Sequence, residues 1–134
     1  MAAEVLDYIT QAIQEQLLAQ LHSDLPPIDR LRAMNQNIDA FYQHGRRDCL
    51  LALLTIGEAQ GLFQERAQQA LNLFIDSLAT VLVTAGITPI TARERAEEAI
   101  ALIQGSWVLT RGLNNTAIFE RILDRLQADL LRPE

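Results

Sequence analysis

Apolar residues return every three or four positions along almost the whole chain, the spacing that lines one face of an α-helix. Between about residues 3 and 22 the stripe is Val5, Leu6, Ile9, Ile13, Leu17, Leu18 and Leu21, and it stops at Ser23-Asp24-Leu25-Pro26-Pro27. Proline cannot continue a helix but suits its first turn, so a second helix is predicted from near Pro27 to about Gln43. Its apolar face carries Leu31, Met34, Ile38, Phe41 and Tyr42.

The stretch from Gly45 to Gly57 reads GRRDCLLALLTIG, a basic loop feeding an apolar segment from Cys49 to Ile56. That segment is too short to cross a bilayer and too apolar for a surface helix, so it is expected to be a short third helix enclosed by others. Gly57 and Gly61 bracket the turn that follows. The fourth and longest predicted helix covers about Leu62 to Ala85, with Phe63, Ala67, Ala70, Leu71, Phe74, Leu78, Val81 and Leu82 on one face. Gly86 is its expected left-handed cap. A fifth helix begins either at Thr88-Pro89 or at the capping box Thr91-x-x-Glu94, and pattern alone does not choose between them.

The fifth helix changes character midway. Thr91 to Glu98 is charged, whereas Ala99 to Leu109 (AIALIQGSWVL) is apolar nearly all round, as expected of a helix buried on more than one side. A sixth helix follows Asn114-Asn115, with Asn114 as N-cap and Leu113 and Ile118 spaced for a hydrophobic staple. Its stripe is Ile118, Phe119, Ile122, Leu123, Leu126 and Leu130, opposite Glu120, Arg121, Asp124 and Arg125. The expected fold is therefore an all-α, six-helix bundle formed by one domain over residues 1–134. A fifth helix buried on two sides needs a second covering layer, and a twin subunit supplies one. Two copies of the last two helices would make a four-helix bundle, with Ala101, Gly105 and Ser106 small enough for close approach and Leu109, Ile118, Phe119, Ile122 and Leu126 beside them. The alternative is that both helices pack within a monomeric bundle.

Composition narrows the function. The 134 residues are 49% hydrophobic, enough to bury a substantial core. All 11 basic residues are arginine and 17 residues are acidic, leaving a formal net charge of -6. Non-specific nucleic-acid affinity comes mostly from neutralising phosphates, and this chain offers no basic face for it. The N-terminus lacks a basic n-region and a continuous apolar h-region, and no apolar run reaches the roughly 20 residues of a membrane span. The single cysteine excludes an internal disulfide and fits a reducing compartment, so the cytoplasm is expected and no membrane association.

No catalytic constellation emerges. His22 and His44 stand far apart without metal-ligand spacing and are read as solvated residues at helix ends, so no metal is expected. Arg46 and Arg47 stand close to Cys49 in sequence and could lower its pKa, but a thiol opening an apolar helix reads as buried and inert. Glu94, Glu97 and Glu98, opposed by Arg93 and Arg95, read as a solvated face. With no GxSxG, no Cys/His pair and no phosphate-cradling glycine loop, neither an enzyme nor a cofactor is expected.

The Gly-bounded loop with Cys49-Leu50, the long fourth helix ending Ala85-Gly86-Ile87, the Thr88-Pro89 start, the Gln104-Gly105 step and the closing helix pair together resemble the C-terminal regulatory domain of TetR-type transcriptional repressors. The likeness is to the branch with drug-responsive members, in which a Gly-x-x-x-Cys stretch opens a short central helix. Asp48 departs from the glycine often found there. The resemblance implies a homodimer that holds a small apolar or aromatic effector and binds DNA only through an N-terminal helix-turn-helix. A full-length member would carry that reader in roughly 45 to 60 residues before Met1. Nothing in MAAEVLDYITQAI corresponds to it, and the first helix instead resembles the family's connecting helix. The chain then reads either as part of a longer repressor or as a regulatory domain without a reader.

Implied pocket positions are Met34, Ile38 and Phe41 on the second helix, Cys49 and Leu53 on the third, and Leu71, Phe74 and Leu78 on the fourth. Ile103, Gln104 and Trp107 complete them from the fifth, with Trp107 offering flat contact area and an indole donor, and Gln104 a polar handle. For any single one of them plain core packing is the stronger reading. The competing functional reading is a small all-α homodimeric interaction protein with neither ligand nor DNA.

Overall fold

A computed structural model describes residue 11, residues 13–41 and residues 60–134. Among the described residues there are four α-helices and no strand: α1 (Pro27–Phe41), α2 (Gln60–Thr84), α3 (Pro89–Leu113) and α4 (Thr116–Leu130). Of the six expected helices, the short one over Cys49–Ile56 lies outside the described residues, and so do residues 3–10 and 12 of the first. Over its described length that first segment is a π-helical turn, Ile13–Leu18, running directly into a 3-10 turn, Ala19–His22. The tightened turn stacks residues three apart, so Leu18 and Leu21 both reach the core.

The ends of the helices follow from their sequences. Pro27 occupies the first turn of α1, where a missing N–H costs nothing, and the Pro26 carbonyl accepts from Asp29 and Arg30 N–H at 3.0 Å. α2 ends in a Schellman motif: Gly86 adopts φ +99°, its N–H reaches Val83 O at 3.0 Å, and Ile87 N–H reaches Leu82 O at 3.1 Å. Ile87 then tucks into the core beside Leu82, the hydrophobic contact that accompanies this cap. α3 starts at Pro89 with Thr88 as N-cap, so the capping box at Thr91 does not open it.

The turn between α3 and α4 corrects one expectation. Asn114 is not the N-cap of the last helix but the left-handed C-cap of α3, at φ 51° and ψ 47°. Asn115 is the N-cap, its side chain accepting from Ala117 N–H at 3.1 Å. Thr110 locks the same turn from below: its buried hydroxyl accepts from Phe119 N–H at 3.2 Å, and its carbonyl accepts from Asn115 N–H at 3.1 Å. The staple pair shifts out of register with the cap.

α3 runs along both α2 and α4, while α1 lies across α4 and the N-terminal turns rest on α1 and α2. Ala92, Ala96 and Ala99 are buried along α3, and their small side chains let neighbouring backbones approach. The core is one contiguous cluster running from Leu18 and Leu21 through Leu31, Phe74, Leu82 and Trp107 to Phe119 and Leu126. α1 is tied to α4 by Asn35, whose amide donates to Leu123 O and to Gln127 Oε1, both at 2.9 Å.

Candidate functional site

Nine of the eleven expected pocket positions fall among the described residues; Cys49 and Leu53 do not. Met34 and Ile38 of α1, Phe74 and Leu78 of α2, and Ile103 and Trp107 of α3 share the core cluster. Phe41 and Leu71 pack half-buried against it. Gln104 is half-buried, with its side-chain oxygen inside the protein. Three helices thus converge these side chains, which is what a ligand enclosed by helices needs and also what a packed core needs. An open groove of about 340 Å³ lies elsewhere, between α1 and α4, lined by Arg32, Asn35, Asp39, Glu120, Asp124 and Gln127 among others. None of the expected pocket residues lines it.

The expected dimer positions divide into two groups. Ser106, Phe119 and Leu126 are seated in the chain's own interior, with Ser106 Oγ donating to Ile103 O at 2.9 Å, and are not available to a partner. Their register explains this: they line up with Ile103, Thr110, Leu123 and Leu130 on the faces that α3 and α4 turn toward each other and the core. Ala101, Gly105 and Leu109 are exposed, and Ile118 and Ile122 are half-buried.

Sequence reasoning named Leu109 on this exposed face but missed Leu102, Val108 and Leu113, which extend it. Leu102, Val108, Leu109 and Leu113 are 44%, 57%, 51% and 65% exposed. Leu102, Leu109 and Leu113 fall in one row at steps of seven and four, and Ala101, Gly105, Val108 and Gly112 fall in the row beside it. The expectation that α3 is buried on two sides is therefore met on one side only among the described residues. Neither Gly105 nor Gly112 has any atom within 4 Å of where a Cβ would sit. Both lie inside a helix, where glycine costs about 0.5–1 kcal/mol relative to alanine, and no contact within the described chain accounts for them.

Two charged positions also depart from expectation. Arg95 does not belong to a solvated face: it is 6% exposed and donates to the carbonyls of Leu130 (3.1 Å), Pro133 (3.3 Å) and Arg132. It shares the register of Ala92, Ala99 and Ile103, a signal that could have placed it inward. Arg93 is exposed and pairs with Asp76 of α2 at 2.7 Å. His22 is exposed as expected of a helix-end residue, but its Nε2 lies 3.1 Å from the hydroxyl of buried Ser77 on α2. Among the described residues no group of three or more His, Cys, Asp or Glu side chains could hold a metal ion. Nor is any described helix long and apolar enough to cross a membrane.

An antiparallel α3–α4 pair with one apolar face exposed, packed on helices that converge aromatic and aliphatic side chains, is an all-α arrangement consistent with a TetR C-terminal domain. Residues 27–125 match the family described as transcriptional regulator LmrA/YxaF-like, C-terminal domain, and the chain belongs to that family. The match spans α1, α2, α3 and most of α4. Neither a curated protein nor a solved structure matches the chain.

Proposed function

We propose that this chain is the effector-sensing and dimerising half of a TetR-like repressor, in which effector binding is coupled to release of DNA by a helix-turn-helix domain. The family match over residues 27–125 carries the reading. A small apolar or aromatic effector would sit among Met34, Ile38, Phe74, Leu78, Ile103 and Trp107, bordered by Phe41, Leu71 and Gln104, with Cys49 and Leu53 completing the enclosure. The apolar surroundings supply affinity, and Gln104 and the Trp107 indole supply direction.

Dimerisation would use the open face of α3. Leu102, Leu109 and Leu113 would be withdrawn from water by a second copy of the same face, and Gly105 and Gly112 would let the two backbones approach. Ile118 and Ile122 of α4 flank it to complete a four-helix bundle. An effector that binds one arrangement of the N-terminal turns and α2 better than the other would reposition those turns, which are attached to α2 through His22 and Ser77. Paired DNA readers must match half-sites roughly 34 to 36 Å apart, so a small displacement releases the operator. Such coupling is worth about 1–3 kcal/mol, so a modest preference of the effector for one state suffices.

The test is direct. Purified chain is examined by sedimentation at micromolar concentration and by thermal melting against a panel of flat aromatic and aliphatic compounds, with Trp107 fluorescence as a second readout. A dimer whose melting temperature rises and whose Trp107 emission changes with one class of compound is expected. A dimer indifferent to every compound would instead support a ligand-free interaction protein, and a monomer indifferent to all would refute both halves of the proposal.

A further inference from the structure

α3 and α4 share one end of their hairpin, where the N-terminus of α3 lies beside the C-terminus of α4, and each is capped by a residue belonging to the other's surroundings. Thr88, the N-cap of α3, makes no side-chain cap of its own. Its hydroxyl donates to Glu134 Oε1 at 2.6 Å and its backbone N–H donates to Glu134 Oε2 at 3.2 Å. A carboxylate is thereby placed on the positive end of the α3 dipole. In the opposite direction Arg95, in the second turn of α3, reaches the last carbonyls of α4 and its tail: Leu130 O, Arg132 O and Pro133 O. α4 ends at Leu131 in a conformation outside the left-handed region, so its orphan carbonyls depend on a partner of this kind. Arg132 adds peripheral contacts, donating to Asp129 O at 2.8 Å and lying 3.9 Å from Glu98.

We propose that residues 131–134 form a releasable clasp in which Glu134 on the α3 N-terminus and Arg95 on the α4 C-terminus make the two helix ends open and close as one unit. The carboxyl of Glu134 is held below its usual range, chiefly by the Thr88 hydroxyl, then by the Thr88 N–H and Thr91, with Arg95 contributing. Detaching residues 131–134 removes the cap of α3 and, at the same stroke, two of the three carbonyls that Arg95 reaches, Arg132 O and Pro133 O, leaving it Leu130 O alone. The other end of the hairpin is pinned separately by Thr110, Asn114 and Asn115, so release frees one end of the pair and leaves the rest folded. On the dimer reading above, that release also loosens the crossing of the two helices that present the open face.

Amide hydrogen exchange on the wild-type chain, on Glu134→Gln and on a chain ending at Leu130 decides the matter, with Glu120→Gln as a charge control. In both clasp variants exchange at residues 90–93 and 128–130 accelerates together, by roughly three- to tenfold, while residues 103–110 keep their protection and the control is unchanged. Acceleration at only one helix end, or equal acceleration throughout the domain, overturns the clasp. Sedimentation of the same proteins keeps the two readings apart: a monomeric wild type removes the dimer, whereas the exchange pattern judges the clasp in either case.

Discussion

Placing a methyl group at position 105 separates the two places where that glycine could matter. A Cβ built on Gly105 has nothing within 4 Å, and the residue is exposed in the interior of α3. Within one chain Gly105→Ala therefore meets no clash and improves helix propensity, stabilising the monomer by about 0.5–1 kcal/mol. Across a two-fold interface the sign reverses. If α3 packs on its twin at the close separation that glycine permits, the added methyls, one from each subunit, force the helices apart, and overpacking of this kind costs about 1–3 kcal/mol. At about 1.4 kcal/mol per tenfold, the dimer dissociation constant should rise roughly 5- to 150-fold.

Two measurements are needed, because association itself raises apparent stability by mass action. Sedimentation equilibrium gives the dissociation constant, and urea unfolding below that concentration gives the stability of the monomer. The expected outcome is opposite movement: a more stable monomer and a weaker dimer. Leu109→Glu supports the same conclusion from the charge side, since an unpaired carboxylate in a closed apolar seam disfavours association strongly while costing an exposed monomer position little. A Gly105→Ala dimer as tight as wild type would refute the proposed seam, and with it the account of why glycine stands there.

Four further expectations concern the framework. Arg95→Met keeps the length of the side chain but strands the Leu130 carbonyl while water recovers part of the tail, so a loss of about 2 kcal/mol in urea unfolding is expected. Asn35→Ala removes the two bonds that this side chain makes to α4 and should cost about 1–2 kcal/mol, read as a lower urea midpoint with an unchanged slope. Asn114→Ala forces a β-carbon into the left-handed region and should cost about 1 kcal/mol, whereas Asn114→Gly should not; a melting comparison of the two distinguishes backbone strain from a lost side-chain contact. The Glu134 contribution has a defined pH sense: its folded pKa lies below the ordinary value of 4.5, so its stabilisation is present above that pH and lost as the pH falls through the lower folded value. Wild type and Glu134→Gln should therefore differ in melting temperature at neutral pH and converge under acid conditions, and a difference that persists there would count against the carboxylate as the cause.

What the sequence made legible, and what it did not, follows from how far apart the partners lie. The end of α2 was legible because all its parts are adjacent: Leu82, Val83, Gly86 and Ile87 form a Schellman motif within six residues. The turn at Asn114-Asn115 was legible as a turn but not in its roles, because asparagine suits both a left-handed C-cap and an N-cap; which residue does which depends on Thr110 and Phe119. Arg95 was hidden for a different reason. Its neighbours Arg93, Glu94, Glu97 and Glu98 point outward, and its carbonyl acceptors are contributed from 35 to 38 positions away.

The same reasoning bears on the candidate pocket and on the open face. Met34, Phe74, Leu78 and Trp107 could be named from helical period because the core face of each helix is a local property. Whether the space between them admits an effector depends on how three helices pack together, and local period carries no information about that. The all-round apolarity of residues 99–109 implies burial on two sides, and the described residues of the chain cover only one. Leu102, Val108, Leu109 and Leu113 are concentrated on the uncovered side, together with two helix-interior glycines that no contact in the described chain explains. A surface of that composition is costly to leave in water and costly to keep helical. The approach of a second α3 would offset both costs, and so the mismatch between the sequence pattern and the burial among the described residues is the argument for proposing a twin.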